Sequence, residues 1–492
     1  MVKILLIGNG AREHAIADAL ARSTHDPKIY AVASEKNPGI LRICEKTKGE
    51  IILGNPNDPK FVAQTAQKIS ADFAFIGPEE PQFNGVADEV EKTGIPCVGA
   101  KKGPAEIEMS KAFMRRLMWK HNIPGRLRFM AFKNVEDAIA YINEYAESVA
   151  LKPARQAGGK GVKVIADLQA YLQEEKAEVK RKHAQDIYEK HMKPYSDIED
   201  RILIEQKVEG PEYTIQCFTD GKTVKPLPLV QDNKNAYEMD IGPETGGMGS
   251  IGGPGLTLPF INEAEYKQSA MIVEMVVRAI DKELSQPYRG VIAGQMMLTA
   301  LWGPTIIEFY SRFGDPEAVN VLPILETDLV DISEAIISEK LHKINLKFKD
   351  TATVVKCVAP KGYPDRRDLA KGHPIFVDEA AIEKRGARVF YGSVGLKNGE
   401  MVTAGSRAVE IFADADIIPR ASEIVESCMD CIKLKDNWGL FHRSDIGSGT
   451  LLEKRIELAQ LIREIYNYRK EKDLIGRQVD WIPGRGRIEY QA

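Results

Sequence analysis

The stretch VKILLIGNGAREHAIADALARS limits the possible folds more than any other part of this chain. It is a buried β-run ending in Gly8-Asn9-Gly10, followed at once by a helical pattern. KIYAVAS and DFAFIGPEEP continue the strand–helix alternation, so residues 1 to about 100 are expected to form a parallel, Rossmann-like α/β domain. A strand, a glycine turn and a helix N-terminus make an anion site, because backbone N–H groups and the helix dipole point outward there. A dinucleotide fingerprint would place a third glycine at position 13, where this chain has Glu13. The residues therefore speak against NAD, and Arg12 favours a phosphate monoester. The strand-end loops GNGAREH and GPEEPQFNGVAD are expected along the carboxyl edge of the sheet, where such domains bind ligands. Glu79 and Glu80 in the second loop read either as acceptors for sugar hydroxyls or as plain loop charges.

At 492 residues the chain exceeds a single core, and roughly three domains are expected. A hydrophobic content of 43% with 28% charged residues is that of a soluble globular protein. The net charge of -4 leaves no basic excess for coating nucleic acid. The N-terminus enters a strand without the apolar core of a signal peptide, and no apolar run approaches the roughly 18 residues of a membrane span. The 6 cysteines form no disulfide framework in so long a chain and fit a reducing cytoplasm. Cys428 and Cys431 make the single CxxC, read as chance spacing rather than zinc or redox chemistry.

The chemistry is expected between Gln295 and Glu317, in QMMLTALWGPTIIEFYSRFGDPE. MMLTAL and TIIEFY are strand-like runs, and WGP between them suits an antiparallel hairpin. Gln295 and Glu308, read as standing at equivalent ends of the two runs, bring two oxygens to one hard cation such as magnesium. Arg312, Asp315 and Glu317 surround a Gly-Asp-Pro turn. They suit a small zwitterion, guanidinium to carboxylate and carboxylate to ammonium, although a solvated charged turn is the plainer reading. In SVALKPARQAGGKGVKVIAD, Lys152 closes one strand and the glycines occupy a hairpin tip, either a phosphate clamp or an ordinary glycine hairpin. Lys111 stands near the start of a helix in MSKAFMRRLMWKHNIP. Residues 168–200 read as solvated helix and loop. Glu205 and Glu212 flank a bend in ILIEQKVEGPEYTIQCF where a nucleotide would present its base and ribose. A glycine-dense loop from Pro226 to Pro254 has the character of functional loops. Strand-like VVKCVAP, KRGARVFYGSV and RAVEIFADA suggest a smaller third region, and LLEKRIELAQLIREIYNYRKEKDLI a long charged helix.

Together, GNGAREHA, GPEEP, SKAFMRR, LKPARQAGGKGV, IEQKVEGPEYT, QDNKNAYEMDIGPETGGMG, EFYSRFGDPEAVNVLP, the KGYP of Lys361–Pro364 and the RSDIG of Arg443–Gly447 resemble the phosphoribosylamine–glycine ligases. These are also called glycinamide ribonucleotide synthetases and belong to the ATP-grasp class. The resemblance runs from residue 2 to about 447. It implies ligation of 5-phosphoribosylamine and glycine with ATP going to ADP and phosphate through a glycyl phosphate, in de novo purine biosynthesis. It implies an N-terminal phosphoribosylamine-binding α/β domain over 1–105. An ATP-grasp domain follows over 106–330, with a mobile glycine-rich flap at about 122–200. A mixed α/β C-terminal domain over 331–447 and a helical extension over 448–492 complete the chain.

Under the same resemblance, Lys111, Lys152, Gly158, Gly159, Lys160 and Gly161 would hold ATP, with Glu205 and Glu212 at adenine and ribose. Gln295 and Glu308 would bind Mg²⁺ or Mn²⁺. Gly246, Gly247, Met248 and Gly249 would line the glycine side with Arg312 and Asp315. Gly10, Arg12, Glu79 and Glu80 would hold the phosphoribosylamine. Arg312, Asp315 and Lys152 are the expected catalytic residues. The expected partners are small molecules, with no nucleic acid or membrane, for a cytoplasmic monomer or homodimer.

The chain departs from the family pattern at three places. LKPARQ replaces the family's Lys-Ala-Asp-Gly-Leu before the flap. Tyr310 replaces an Asn two residues after the metal-binding Glu, and is expected outside the metal's ligand shell. The charged insertion at 168–200 and the tail after 447 exceed the family's length. Two other readings stand beside this one: a different ATP-grasp carboxylate–amine ligase or carboxylase, and a catalytically lapsed nucleotide-binding module.

Overall fold

The computed structural model describes residues 1–144, 149–156, 163–165, 174–195, 199–482 and 486–491. The chain divides into two compact units: Met1–Ala105 with Tyr213–Gly294 and Tyr310–Ile456, and Glu106–Glu212 with Gln295–Phe309 and Glu457–Ala492. Among the described residues no helix is long and apolar enough to cross a membrane.

In the first unit, strands β1 (Val2–Ile7), β2 (Pro27–Ala33), β3 (Ile51–Leu53), β4 (Phe73–Ile76) and β5 (Cys97–Val98) form a 5-stranded sheet in the order β3-β2-β1-β4-β5. Neighbouring strands in it are all parallel. The two-residue period of a strand sends alternate β1 side chains to opposite faces. Ile4 and Leu6 join one core with Ala15, Ile16 and Leu20. Leu5 and Ile7 join another with Val62, Ala66 and Val90. The chain order reverses between β1 and β4, so their carboxyl ends open the crevice in which doubly wound sheets bind ligands. GPEEPQFNGVAD, expected as a loop, is folded into two short helices, Glu79–Phe83 and Val86–Lys92. Glu79 and Glu80 stand in the first turn, where the helix dipole favours carboxylates.

The same unit contains antiparallel strands Val230–Asp232, Gly249–Gly252, Ala352–Pro360, Val409–Ala415 and Arg388–Tyr391, paired in that spatial order. KRGARVFYGSV is not one strand. It breaks at Gly392 into Arg388–Tyr391 and Val394–Lys397, which belong to different sheets. The third region suggested by the sequence shares a core with the N-terminal sheet, since Val355, Phe390 and Phe412 cluster with Leu6, Ala15 and Phe313.

In the second unit a 4-stranded sheet runs Phe129–Phe132, Ile202–Gln206, Val149–Pro153, Lys163–Ile165. Leu151 pairs with Lys163 antiparallel, the pairing expected of the flanks of a hairpin; the expected ATP-binding residues Gly158, Gly159, Lys160 and Gly161 lie outside the described residues. Val135, Ala138, Leu151, Ile187, Met192 and Ile204 fill this unit's core. The charged insertion contains a helix, Glu174–Ile187. The central hairpin pairs Gly290–Thr299 with Gly303–Tyr310. Gln295 is therefore in mid-strand rather than at a strand end. Past the charged helix Gly449–Glu471, the expected all-helical extension contains an antiparallel hairpin, Arg477–Ile482 with Gly486–Gln491.

Candidate active site

The second unit gathers the residues expected around ATP and metal. Lys111 is the first residue of helix Lys111–Lys120, which Ser110 caps by accepting from the Phe113 N–H at 3.1 Å. A cation at a helix N-terminus opposes the dipole, so its retention there suits a bound anion. Lys111 is buried; its Nζ donates to Gln156 Oε1 at 3.0 Å and stands 3.2 Å from Glu308 Oε2. One helical turn on, the fully buried Arg115 donates to Glu205 Oε1 at 2.6 Å and to the carbonyls of Ile306 and Ile307 at 2.9 and 3.0 Å. It thereby ties this helix to the strand that carries Glu308.

Lys152 approaches Glu205 Oε2 at 2.7 Å as an ion pair. Burial would raise the Glu205 carboxyl, but Arg115 and then Lys152 outweigh it and hold the group at about 2. Glu205 is thus a buried anchor for two cations. Glu212, expected at the ribose, accepts from Gln295 Nε2 at 2.8 Å. That bond commits the amide nitrogen, so a cation would meet the amide oxygen. Gln295 and Glu308 offer oxygen donors only, a set that fits a hard divalent ion.

In the first unit Glu13 explains why a dinucleotide is disfavoured. Its carboxylate accepts from Gly10 N–H and from Arg12 Nε, each at 2.6 Å, so the protein's own anion occupies the helix N-terminus. The first and last residues of this turn's surroundings must be glycine: a Cβ on Gly8 or Gly77 would stand 2.7 or 2.4 Å from Glu13 Cγ. Arg12 is buried and also donates to the Phe313 carbonyl at 3.1 Å. Arg312 donates to the same carbonyl at 3.2 Å and to Glu79 Oε2 at 3.1 Å, while Arg12 Nη1 lies 3.7 Å from that carboxylate oxygen. Burial raises the Glu79 carboxyl, but Arg312 and Arg12 together depress it. Arg312 also stacks over the Tyr310 ring at 4.5 Å, and Tyr310 is itself buried. Glu80 follows Glu79 in the short helix and is partly buried.

The glycine loop is held by residues from far along the chain. Gly246 N–H donates to the Tyr363 hydroxyl at 3.1 Å, and Tyr363 belongs to KGYP. Arg407 Nη1 donates to the carbonyls of Gly246, Gly247 and Asp315 at 2.9, 2.8 and 3.0 Å. Its Nη2 lies 2.9 Å from Asp315 Oδ1. Gly247 has φ +110, and a Cβ there would fall 2.5 Å from Asp232 Oδ1. Met248 is fully buried, and Gly249 opens a strand. Asp315 is depressed despite burial, chiefly by Arg407 and then Arg12. Glu410 is raised well above the usual carboxylate range by burial and by Asp315.

Glu13, Arg115, Arg407 and Glu410 are absent from the sequence-derived site. Glu410 alone had a visible signal, a carboxylate inside the apolar run AVEIF.

The fold and these clusters define a protein of the ATP-grasp class. Solved structures of similar fold include phosphoribosylamine–glycine ligase from Thermotoga maritima (TM-score 0.71, 23% identity, 90% of this chain and 100% of that one). The biotin carboxylase domain of Hydrogenobacter thermophilus 2-oxoglutarate carboxylase is another (TM-score 0.66, 16% identity, 96% and 97%). Family models for phosphoribosylglycinamide synthetase match at residues 2–108 (N domain), 109–318 (ATP-grasp domain) and 353–449 (C domain). Proteins named phosphoribosylamine–glycine ligase from Methanopyrus kandleri and Methanocaldococcus jannaschii are each 44% identical over 94% of this chain and 100% of their own length. The chain belongs to the phosphoribosylglycinamide synthetase family.

Proposed function

We propose that this protein joins 5-phosphoribosylamine to glycine, with cleavage of ATP to ADP and phosphate. The observation that carries the reading is the full-length similarity to named ligases of this reaction, 44% identity over 94% of the chain. The charge clusters support it. In the proposed reaction a glycine carboxylate oxygen attacks the γ-phosphorus and ADP leaves. The amine nitrogen then attacks the acyl carbon, phosphate leaves, and the amine proton passes to solvent.

No nucleophilic side chain is required; the chemistry is positioning and charge neutralisation. Lys111 and Lys152 are assigned to the ATP phosphates, and Gln295 and Glu308 to Mg²⁺ or Mn²⁺. A divalent ion there would neutralise charge on the transferring phosphoryl group. Lys111 also stands 3.2 Å from Glu308 Oε2. Glu205 positions Lys152. Arg312, with Glu79 beside it, is assigned to the glycine carboxylate, and the Gly246–Gly249 loop to that side of the site.

The test is ADP release by the purified chain with phosphoribosylamine and ATP, adding and omitting glycine. Release that depends on glycine and yields the amide supports the proposal. Release that follows bicarbonate instead would assign the chain to carboxylase chemistry, and release with neither would leave only a nucleotide-binding module.

A further inference from the structure

A cavity of about 210 Å³ lies beside Gly10, and its walls include Asp315, Ser393, Ser406, Arg407 and Glu410. It is smaller than the roughly 300–1,000 Å³ pockets that take drug-sized ligands, so its scale is that of a sugar ring or an amino acid. Glu410 is the anomaly in it. The residue lies on strand Val409–Ala415, opposite Cys357 on one neighbour and Phe390 on the other, where an apolar side chain is the rule. It is 1% exposed, and its carboxyl shares a hydrogen bond with Asp315 at the wall of the cavity. One shared hydrogen bond leaves a buried pair of carboxyl groups with further acceptor positions, so the pair kept at a cavity wall suits donors from a ligand. Gly10 lines the same cavity, and a Cβ there would stand 2.9 Å from Glu13 Oε2 and 3.7 Å from Asp315 Oδ2.

The lining decides between the two small substrates. The Arg407 guanidinium is already committed to three carbonyls and to Asp315. A substrate carboxylate entering here would meet two carboxyl groups and no available cation. An uncharged polyol fits better, because its hydroxyls donate to Glu410 and exchange hydrogen bonds with Ser393 and Ser406.

We infer that Glu410 is a further specificity-determining residue that accepts from a ribose hydroxyl of the sugar-phosphate amine bound beside Gly10. Asp315 then stands on the sugar side of the site rather than the glycine side. The inference rests on the ligase reading above.

The experiment measures initial ligation rates of the full chain, with each of the three substrates varied in turn, for Glu410→Ala and Glu410→Gln. Glu410→Ala raises the apparent KM for phosphoribosylamine about tenfold, the scale of one lost buried hydrogen bond. The constants for ATP and glycine stay within about twofold. Glu410→Gln keeps an acceptor oxygen and recovers most of the loss. Should Glu410→Ala fail to fold, Ser406→Ala carries the same test with the same split. An unchanged KM for phosphoribosylamine, or equal rises in all three constants, overturns the inference. An unmodified chain that ligates nothing overturns the ligase reading itself, so its turnover, measured first, separates the two failures.

Discussion

The two charged clusters, one in each compact unit, solve the burial of ionic groups in opposite ways. In the second unit the contacts include Glu308 with Lys111 and Glu212 with Gln295, while Glu205 is shared between Arg115 and Lys152. In the first unit sharing is the rule. Arg12 and Arg312 converge on one carboxylate and one carbonyl, and Asp315 answers to both Arg407 and Glu410. Pairwise contacts fix each charge in its own place. A shared network holds its members as a unit, so removing any one of them is felt by the others.

The contrast can be broken most forcefully at Glu205. Glu205→Ala leaves Arg115 and Lys152 buried without their carboxylate, and breaking a buried pair this way costs about 3–5 kcal/mol. Urea denaturation followed by tryptophan fluorescence should show the loss; an unchanged midpoint would mean Glu205 is not the anchor described. The pH dependence has a definite sign. A carboxyl depressed to about 2 stabilises the fold fully above its unfolded value near 4.3 and loses that contribution as pH falls toward about 2. The parent chain should therefore weaken across that window more steeply than Glu205→Ala.

Next in size is Glu308→Ala. If Glu308 holds the metal, turnover falls on the order of 10²–10³-fold, the scale of one preorganised electrostatic group. Full activity in that variant would remove the metal assignment.

A smaller effect sharpens the comparison directly. Arg12→Ala and Arg312→Ala, combined, should depart from additivity in kcat/KM by roughly 0.5–3 kcal/mol, because both guanidiniums work on Glu79. Strict additivity, with each variant shifting the constant of a different substrate, would dissolve the shared network into two separate sites. The smallest effect is expected at Tyr310→Asn, which places there the residue that the family resemblance implies. Tyr310 is buried under Arg312, so activity should hold and the magnesium requirement should stay equal or fall. A loss of activity exceeding about tenfold would show that the stacked ring is needed to hold Arg312.

The residues that local pattern could place were those whose neighbours in space are neighbours in sequence. The apolar run of β1, the glycine turn at Gly8–Gly10, the helix start at Ser110–Lys111 and the central hairpin all follow from strand and helix periods and from turn chemistry. Those same local rules placed Lys111, Lys152, Glu308 and Arg312 on elements of the right kind. They misjudged GPEEPQFNGVAD, where polar composition suggested a loop and the chain folds into two short helices.

What only tertiary structure decided was who meets whom. Arg407 reaches the carbonyls of Gly246 and Gly247 across 161 and 160 positions, and Arg115 reaches Ile306 across 191. No period-2 or period-3.6 pattern contains such a partner, since periodicity assigns a side chain to a face but not to the surface packed against that face. Glu13 shows the same limit at short range. Sequence could say that it was not the glycine a dinucleotide needs; only the fold shows its carboxylate seated on the Gly10 N–H, where a ligand's phosphate would otherwise lie.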